Sequence, residues 1–221
     1  AKLTNYERVK LEKFSINNEK QATAITAALK AKDYSVTSVT PKQQKRNPYA
    51  PFSTSTLQMD ASRKLGFSAK RTMQVAQKLY EGFTLDGETT GLITYMRTDG
   101  ITVSKDAITE ARSFVEGEYG AEYVPAAPRE FKTKAKNAQE AHEAIRPTNF
   151  SKDTAGSGDH QKLYSLILKR AMASQMAAAR LERTTVDMLD GSGQTGLRTT
   201  GQVVKFPGFL ALYQAGRDDS D

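Results

Sequence analysis

A tyrosine and an arginine two residues apart, Tyr95 and Arg97 in the run Gly91-Leu92-Ile93-Thr94-Tyr95-Met96-Arg97-Thr98-Asp99, pair a nucleophile with a cation. The run is rich in β-formers and reads as a strand, on which side chains two apart share a side. A free tyrosine, with a pKa of about 10, is a weak nucleophile at neutral pH. A guanidinium beside it favours the phenolate and also binds a phosphate under attack. The spacing therefore suits phosphotyrosyl transfer. A half-buried strand tyrosine beside a surface arginine meets the same spacing, and that arrangement is the commoner one.

A second group lies in Ala138-Gln139-Glu140-Ala141-His142-Glu143-Ala144-Ile145-Arg146-Pro147-Thr148. If Asn137 to Ile145 is a short helix, His142 and Arg146 stand one turn apart and can meet a single phosphate, with Glu143 facing elsewhere. The second histidine of a zinc-protease helix is missing, so that chemistry is rejected. A helix end stabilised by a cation near its C-terminus explains the same residues. Pro51-Phe52-Ser53-Thr54-Ser55-Thr56-Leu57-Gln58 clusters hydroxyls at a helix start, where Ser53 and Thr54 favour an anion or simply cap the helix. The basic run Lys132-Thr133-Lys134-Ala135-Lys136 is either a phosphate contact or a solvated loop.

The elements that must position these residues divide into β-rich ends and a helical middle. Lys2 to Ile16 reads as one or two strands. Asn17 or Asn18 then caps a helix with Ala22, Ile25 and Leu29 on one face, and Tyr34 to Thr40 is strand-like. Pro41 to Pro48, basic and bracketed by prolines, reads as an exposed linker or a phosphate-contacting loop. Next come a helix at Thr56 to Lys64, a turn at Leu65 to Ser68, and a helix capped by Ser68 with Ala69, Met73, Ala76 and Tyr80 on one face. Gly82 stops that helix, and an Asp86-Gly87 turn leads to the Tyr95 strand, the outline of a winged helix-turn-helix. A third helix follows Ser104 and buries Ala107, Ala111 and Val115 or Phe114. A loop with Pro125 and Pro128 comes after it. A long helix capped by Asp159 carries Leu163, Ile167, Arg170, Ser174 and Ala178. Thr184 to Leu189 and Leu197 to Val204 form a hairpin around Asp190-Gly191-Ser192-Gly193. The expected fold class is α+β: a mainly helical, winged-helix-like domain over residues 57–177, inserted into a β-rich domain made of 1–56 and 178–221.

Composition bounds the function. The 221 residues carry 32 Lys and Arg against 25 Asp and Glu, a net charge of +7 that suits a polyanionic partner. Without cysteine, disulfides and thiolate metal sites are excluded, and His142 and His160 are the only imidazoles, so no metal site is expected. No apolar run approaches the roughly 18 residues of a membrane helix, and no leader segment is visible; a cytoplasmic protein without a membrane partner is expected. Beginning at Ala1 and ending in Arg217-Asp218-Asp219-Ser220-Asp221, the chain reads as a piece of something longer.

Taken together, Pro51 to Gln58, Ile93 to Asp99 and Gln139 to Pro147 resemble the motifs of the bacterial type IA DNA topoisomerase family, in the family's order. The words Leu163-Tyr164-Ser165-Leu166-Ile167 and Ala173-Ser174-Gln175-Met176 extend the likeness over nearly the whole chain. The resemblance implies that Tyr95 is the nucleophile that cuts one DNA strand and holds its 5′ phosphate as phosphotyrosine, resealing without ATP and relaxing negative supercoils. It implies that Arg97 contacts the scissile phosphate, that Thr98, Asp99, His142 and Arg146 support the site, and that Ser53, Thr54, Lys132 and Lys134 join Arg97 in binding DNA. It implies magnesium held by an upstream domain that is absent here, single-stranded or underwound DNA as substrate, and the remaining domains of the same polypeptide as partners. It makes the β-rich ends a hinge and the helical middle a gate, inactive alone in relaxation. Gly100 stands where many members carry serine, which touches only a local hydrogen bond. The rival function is a non-catalytic winged-helix DNA-binding module. A tyrosine recombinase or a replication-initiation nuclease would need an arginine constellation or a histidine pair that this sequence lacks.

Overall fold

The computed structural model describes residues 1–85, 88–131 and 142–214. Lys132, Lys134, the Asp86-Gly87 turn and residues 137–141 of the expected short helix lie outside them. The fold mixes helix and sheet, and the chain divides into two compact units, Ala1–Lys45 with Arg180–Phe206, and Arg46–Ala179 with the stretch from Pro207 on.

The first unit is built on a five-stranded sheet. Its strands are β1 (Lys2–Tyr6), β2 (Val9–Lys10), β3 (Tyr34–Arg46), β6 (Ala179–Asp190) and β7 (Gly196–Phe206), in the order β2-β1-β7-β6-β3. Helix α1 (Glu19–Lys30) starts where Asn18 accepts the Gln21 N–H at 2.8 Å. The Pro41 to Pro48 stretch is not the expected linker, because strand β3 continues through Arg46. The strand lies at the sheet edge, where the missing N–H of Pro41 costs no ladder bond, and Gln43 donates across to Glu182 at 2.7 Å. The β6–β7 hairpin is longer than expected. Its turn is tied by Asp190, whose carboxylate accepts the N–H groups of Gln194 and Thr195 at 2.9 and 3.0 Å and pairs with Lys32 at 2.6 Å. The Lys32 hydrogen bond, more than any other cause, holds the Asp190 carboxyl well below the usual carboxylate range, and in return Asp190 raises Lys32.

The second unit packs α2 (Thr54–Leu65), α3 (Ala69–Glu81), α4 (Lys105–Tyr119) and α5 (Gly158–Gln175), with a small hairpin of β4 (Phe83–Leu85) and β5 (Glu88–Thr90) following α3. Gly66 ends α2 in the left-handed conformation at φ +68°, and Ser68 caps α3 by accepting the Arg71 N–H. Helix α5 touches α2, α3 and α4, and from Leu163 to Gln175 it is buried on most sides, with Lys169 left exposed. Its N-cap is Ser157, with Asp159 in the first turn rather than at the cap, and Ala178 lies beyond its end. Tyr164 is buried within this core; its hydroxyl donates to the Lys152 carbonyl at 2.7 Å, and burial pushes its pKa up to about 12. The buried face of α3 is Thr72, Val75, Ala76 and Leu79, so the expected face is rotated by about one residue and Tyr80 stands off the core.

Candidate active site

The residues around Tyr95 do not form a strand. Only Ile93 makes a bridge, to Pro147, while Ile145 bridges Phe52. The β-forming composition is used instead in an extended loop whose backbone groups bond to several distant segments. Leu92 N–H donates to Leu79 at the end of α3 at 2.8 Å, Thr94 N–H to Arg146 at 2.9 Å, and Thr148 N–H to Leu92 at 3.0 Å. The Thr94 hydroxyl donates to the Ala144 carbonyl at 2.7 Å and accepts the Arg146 N–H at 3.0 Å. The alternation rule that would put Tyr95 and Arg97 on one side therefore does not apply here.

The Thr98 side of the loop is held by α2. Thr54 N–H donates to the Thr98 carbonyl at 2.9 Å, and the Thr54 hydroxyl donates to the Met96 carbonyl at 2.8 Å while accepting the Thr98 N–H at 2.9 Å. The Thr98 hydroxyl in turn accepts the Gly100 N–H at 2.9 Å. Ser53 N–H donates to the Thr56 hydroxyl at 2.9 Å, so the hydroxyl cluster at the start of α2 is engaged in capping and in gripping this loop. The residues before α2 are anchored in turn by Arg170 of α5, which donates to the Ala50 carbonyl at 2.6 Å. Its guanidinium lies 4.8 and 4.9 Å from the rings of Tyr49 and Phe52 and 3.7 Å from Asp60. Asp60 also pairs with Lys64 at 3.4 Å and accepts the Tyr213 hydroxyl, and Tyr213 is pushed up by burial first and by that bond second. This buried network was missed in the sequence, since Arg170 and Tyr213 reach Asp60 from more than a hundred residues away.

Thr54, Arg97, Thr98, Asp99 and His142 line one cavity of about 310 Å³. Tyr95 adjoins this set through His142, the two ring centroids being 5.1 Å apart and tilted by 49°. On another side the Tyr80 ring stands edge-on to Tyr95 at 5.3 Å and 68°. Arg97 is exposed, and among the described residues no ion pair engages it. Asp99 is exposed as well, and no hydrogen bond joins it to His142 among the described residues. Arg146 departs from the reading that sets it beside His142 on a helix. Residues 142–146 are not helical, and its guanidinium donates to Glu143 at 2.7 Å and to the Pro147 carbonyl at 3.0 Å. Glu143 thus faces Arg146 rather than away from it. Gly100 does more than alter a local hydrogen bond: a Cβ there would collide with the His142 carbonyl oxygen, so the missing side chain lets the His142 backbone approach. Among the described residues no group of three His, Cys, Asp or Glu is placed to hold a metal ion. No described helix is long and apolar enough to cross a membrane.

With this geometry the chain was compared with known proteins. The model of a family described as DNA topoisomerase matches residues 1–221. The chain belongs to the DNA topoisomerase family. It is 54% identical over 220 residues to DNA topoisomerase 1 of Zymomonas mobilis subsp. mobilis, a match covering 100% of this chain and 18% of that protein. It is 48% identical over 225 residues to DNA topoisomerase 1 of Rickettsia bellii, covering 99% of this chain and 28% of that one. Full-length topoisomerase I from Thermotoga maritima matches the structure with a TM-score of 0.76 at 35% identity, over 89% of this chain and 32% of that one. The chain thus spans less than a third of the length of these topoisomerases.

Proposed function

We propose that this chain is the central part of a type IA DNA topoisomerase and that Tyr95 attacks the DNA backbone, storing the 5′ phosphate as a phosphotyrosine until the strand is resealed. The observation that carries the reading is the ring contact of Tyr95 with His142, which shares a cavity with Arg97, a guanidinium that no ion pair engages among the described residues. In the cutting step the Tyr95 oxygen bonds to phosphorus as the bond to the 3′ oxygen breaks. The tyrosine proton is lost, and the leaving 3′ oxygen gains one. Reversal reseals the strand, so the bond energy is retained and no ATP is required. Arg97 meets the charge on the phosphoryl oxygens, a task suited to a planar guanidinium not already engaged by a carboxylate. Thr54 and Thr98 fix the loop, His142 orients the phenol, Asp99 and Arg146 support the site, and Ser53, Lys132 and Lys134 serve DNA binding.

The helical unit is, on this reading, a winged-helix-like gate, with β4–β5 as its wing, inserted into a β-rich hinge. Magnesium would belong to an upstream domain, so the chain alone is expected to bind DNA without relaxing it. Single-stranded or underwound DNA, in the bacterial cytoplasm, is the proposed substrate. The test is Arg97→Ala in the full-length enzyme, with single-turnover cleavage and DNA affinity measured separately. Cleavage is expected to fall by about 100-fold, as for loss of a transition-state donor, while affinity changes little. Equal losses in both would remove the transition-state role.

A further inference from the structure

Tyr80 has no part in the roles assigned above. It sits in the last turn of α3 but off that helix's core face, and it is 41% exposed. That ring nevertheless stands edge-on to Tyr95, with centroids 5.3 Å apart and planes 68° apart, within the range where aromatic pairs attract. The same turn carries the backbone that leads to Tyr95. Leu92 N–H donates to the Leu79 carbonyl at 2.8 Å, and a Cβ at Gly91 would lie 2.5 Å from the Tyr80 carbonyl oxygen, so glycine lets the loop rest on this turn. The segment leading to Tyr95 is thus tied to the α3 backbone, and the Tyr95 ring is flanked by two rings, Tyr80 and His142.

We infer that Tyr80 is a positioning residue that confines the Tyr95 ring to the orientation required for attack on phosphorus. The inference rests on the reading of Tyr95 as the nucleophile. A half-exposed tyrosine without such a neighbour samples several χ1 wells, and an in-line displacement proceeds from only one narrow set of orientations. Cutting and resealing pass through the same transition state, so a contact that favours that state over both ground states speeds both, and its loss slows both by one factor and leaves their ratio unchanged. The aromatic ring makes the contact, so phenylalanine should replace Tyr80, whereas leucine should not.

The test uses the full-length enzyme, magnesium and an end-labelled single-stranded oligonucleotide. It compares wild type, Tyr80→Phe, Tyr80→Leu and Tyr95→Phe for thermal midpoint, oligonucleotide affinity, and the rates of cutting and of resealing after quench. In Tyr80→Leu both rates are expected to fall by about 3- to 10-fold, the size of an aromatic-pair contribution, with unchanged affinity, midpoint and equilibrium fraction of covalent adduct. Tyr80→Phe should stay within about twofold of wild type. Wild-type rates in Tyr80→Leu, a loss confined to affinity, an equal loss in Tyr80→Phe, or a rate loss that follows only a lowered midpoint would each overturn the inference. Adduct formation by Tyr95→Phe would instead overturn the nucleophile reading beneath it, so the two failures are distinguishable.

Discussion

Replacing Thr54 by valine keeps the shape of the side chain and deletes only its hydroxyl. That hydroxyl donates to the Met96 carbonyl at 2.8 Å and accepts the Thr98 N–H at 2.9 Å, and Thr98 is buried. The hydroxyl hydrogen is shared with the Thr98 carbonyl at 3.1 Å, which keeps its bond from Thr54 N–H at 2.9 Å, so the loss is one shared donated bond and one accepted bond. A net bond contributes roughly 1 kcal/mol, and a buried donor left without a partner costs about 1–3 kcal/mol, so Thr54→Val should destabilise the helical unit by about 2–3 kcal/mol. Urea melts of the 221-residue chain against Thr54→Ser, which keeps the hydroxyl, would measure it. Amide exchange should localise the effect: Thr98 N–H should lose more protection in Thr54→Val than the amides of α5, which should speed up only in step with the loss of global stability. A Thr54→Val variant within about 0.5 kcal/mol of wild type, with Thr98 still protected, would refute the view that Thr54 grips the loop beneath the site.

Gly100→Ala should push the His142 backbone away, costing on the order of 1–3 kcal/mol and slowing DNA cleavage in the full-length enzyme; a crystal structure of the variant with His142 unmoved would contradict this. The first unit should weaken in acid through Asp190. Its folded pKa lies below its unfolded value, so its contribution is complete above the usual carboxylate range near about 3.9 and is lost as pH falls through and below that range. Lys32, raised above its ordinary 10.5, loses its contribution only as pH climbs past that value. Urea melts of wild type and Asp190→Asn between pH 7 and pH 3 should show a flatter acid decline in the variant, and parallel declines would count against the pair.

Local signals in the sequence served well where the physics is local. Asn18 and Ser68 cap the helices expected of them, the helix expected after Ser104 starts there, and Gly82 ends its own, because capping is settled within one turn. The buried positions Leu163, Ile167, Arg170 and Ser174 of α5 follow from their spacing. Three readings failed where distant partners decide. The Tyr95 segment has the composition of a strand, yet its backbone bonds go to Leu79, Arg146 and Thr54, none of them a neighbouring strand in sequence. Pro41 and the charges after it signal a linker, but an edge strand tolerates both. Arg146 was read on a helix with His142, whereas an extended backbone turns it to Glu143. Of the site itself, Arg97, Thr98, Asp99, His142 and Thr54 were all visible as candidate residues, and the structure gathers them around one cavity. Their linkage through Thr54, and the ring of Tyr80 against Tyr95, had no sequence signal, since both contacts join separate elements.

The most direct measurement is chemical capture of the attacking residue. The full-length polypeptide carrying this chain would be mixed with magnesium and a labelled single-stranded oligonucleotide, denatured, digested, and searched by gel and mass spectrometry for a DNA-linked peptide. A 5′-phosphate adduct on the peptide containing Tyr95, absent from Tyr95→Phe, is the expected result. Cleavage that persists in Tyr95→Phe, or an adduct on another residue, would contradict the assignment. DNA binding without any adduct would turn the helical unit into a non-catalytic winged-helix module.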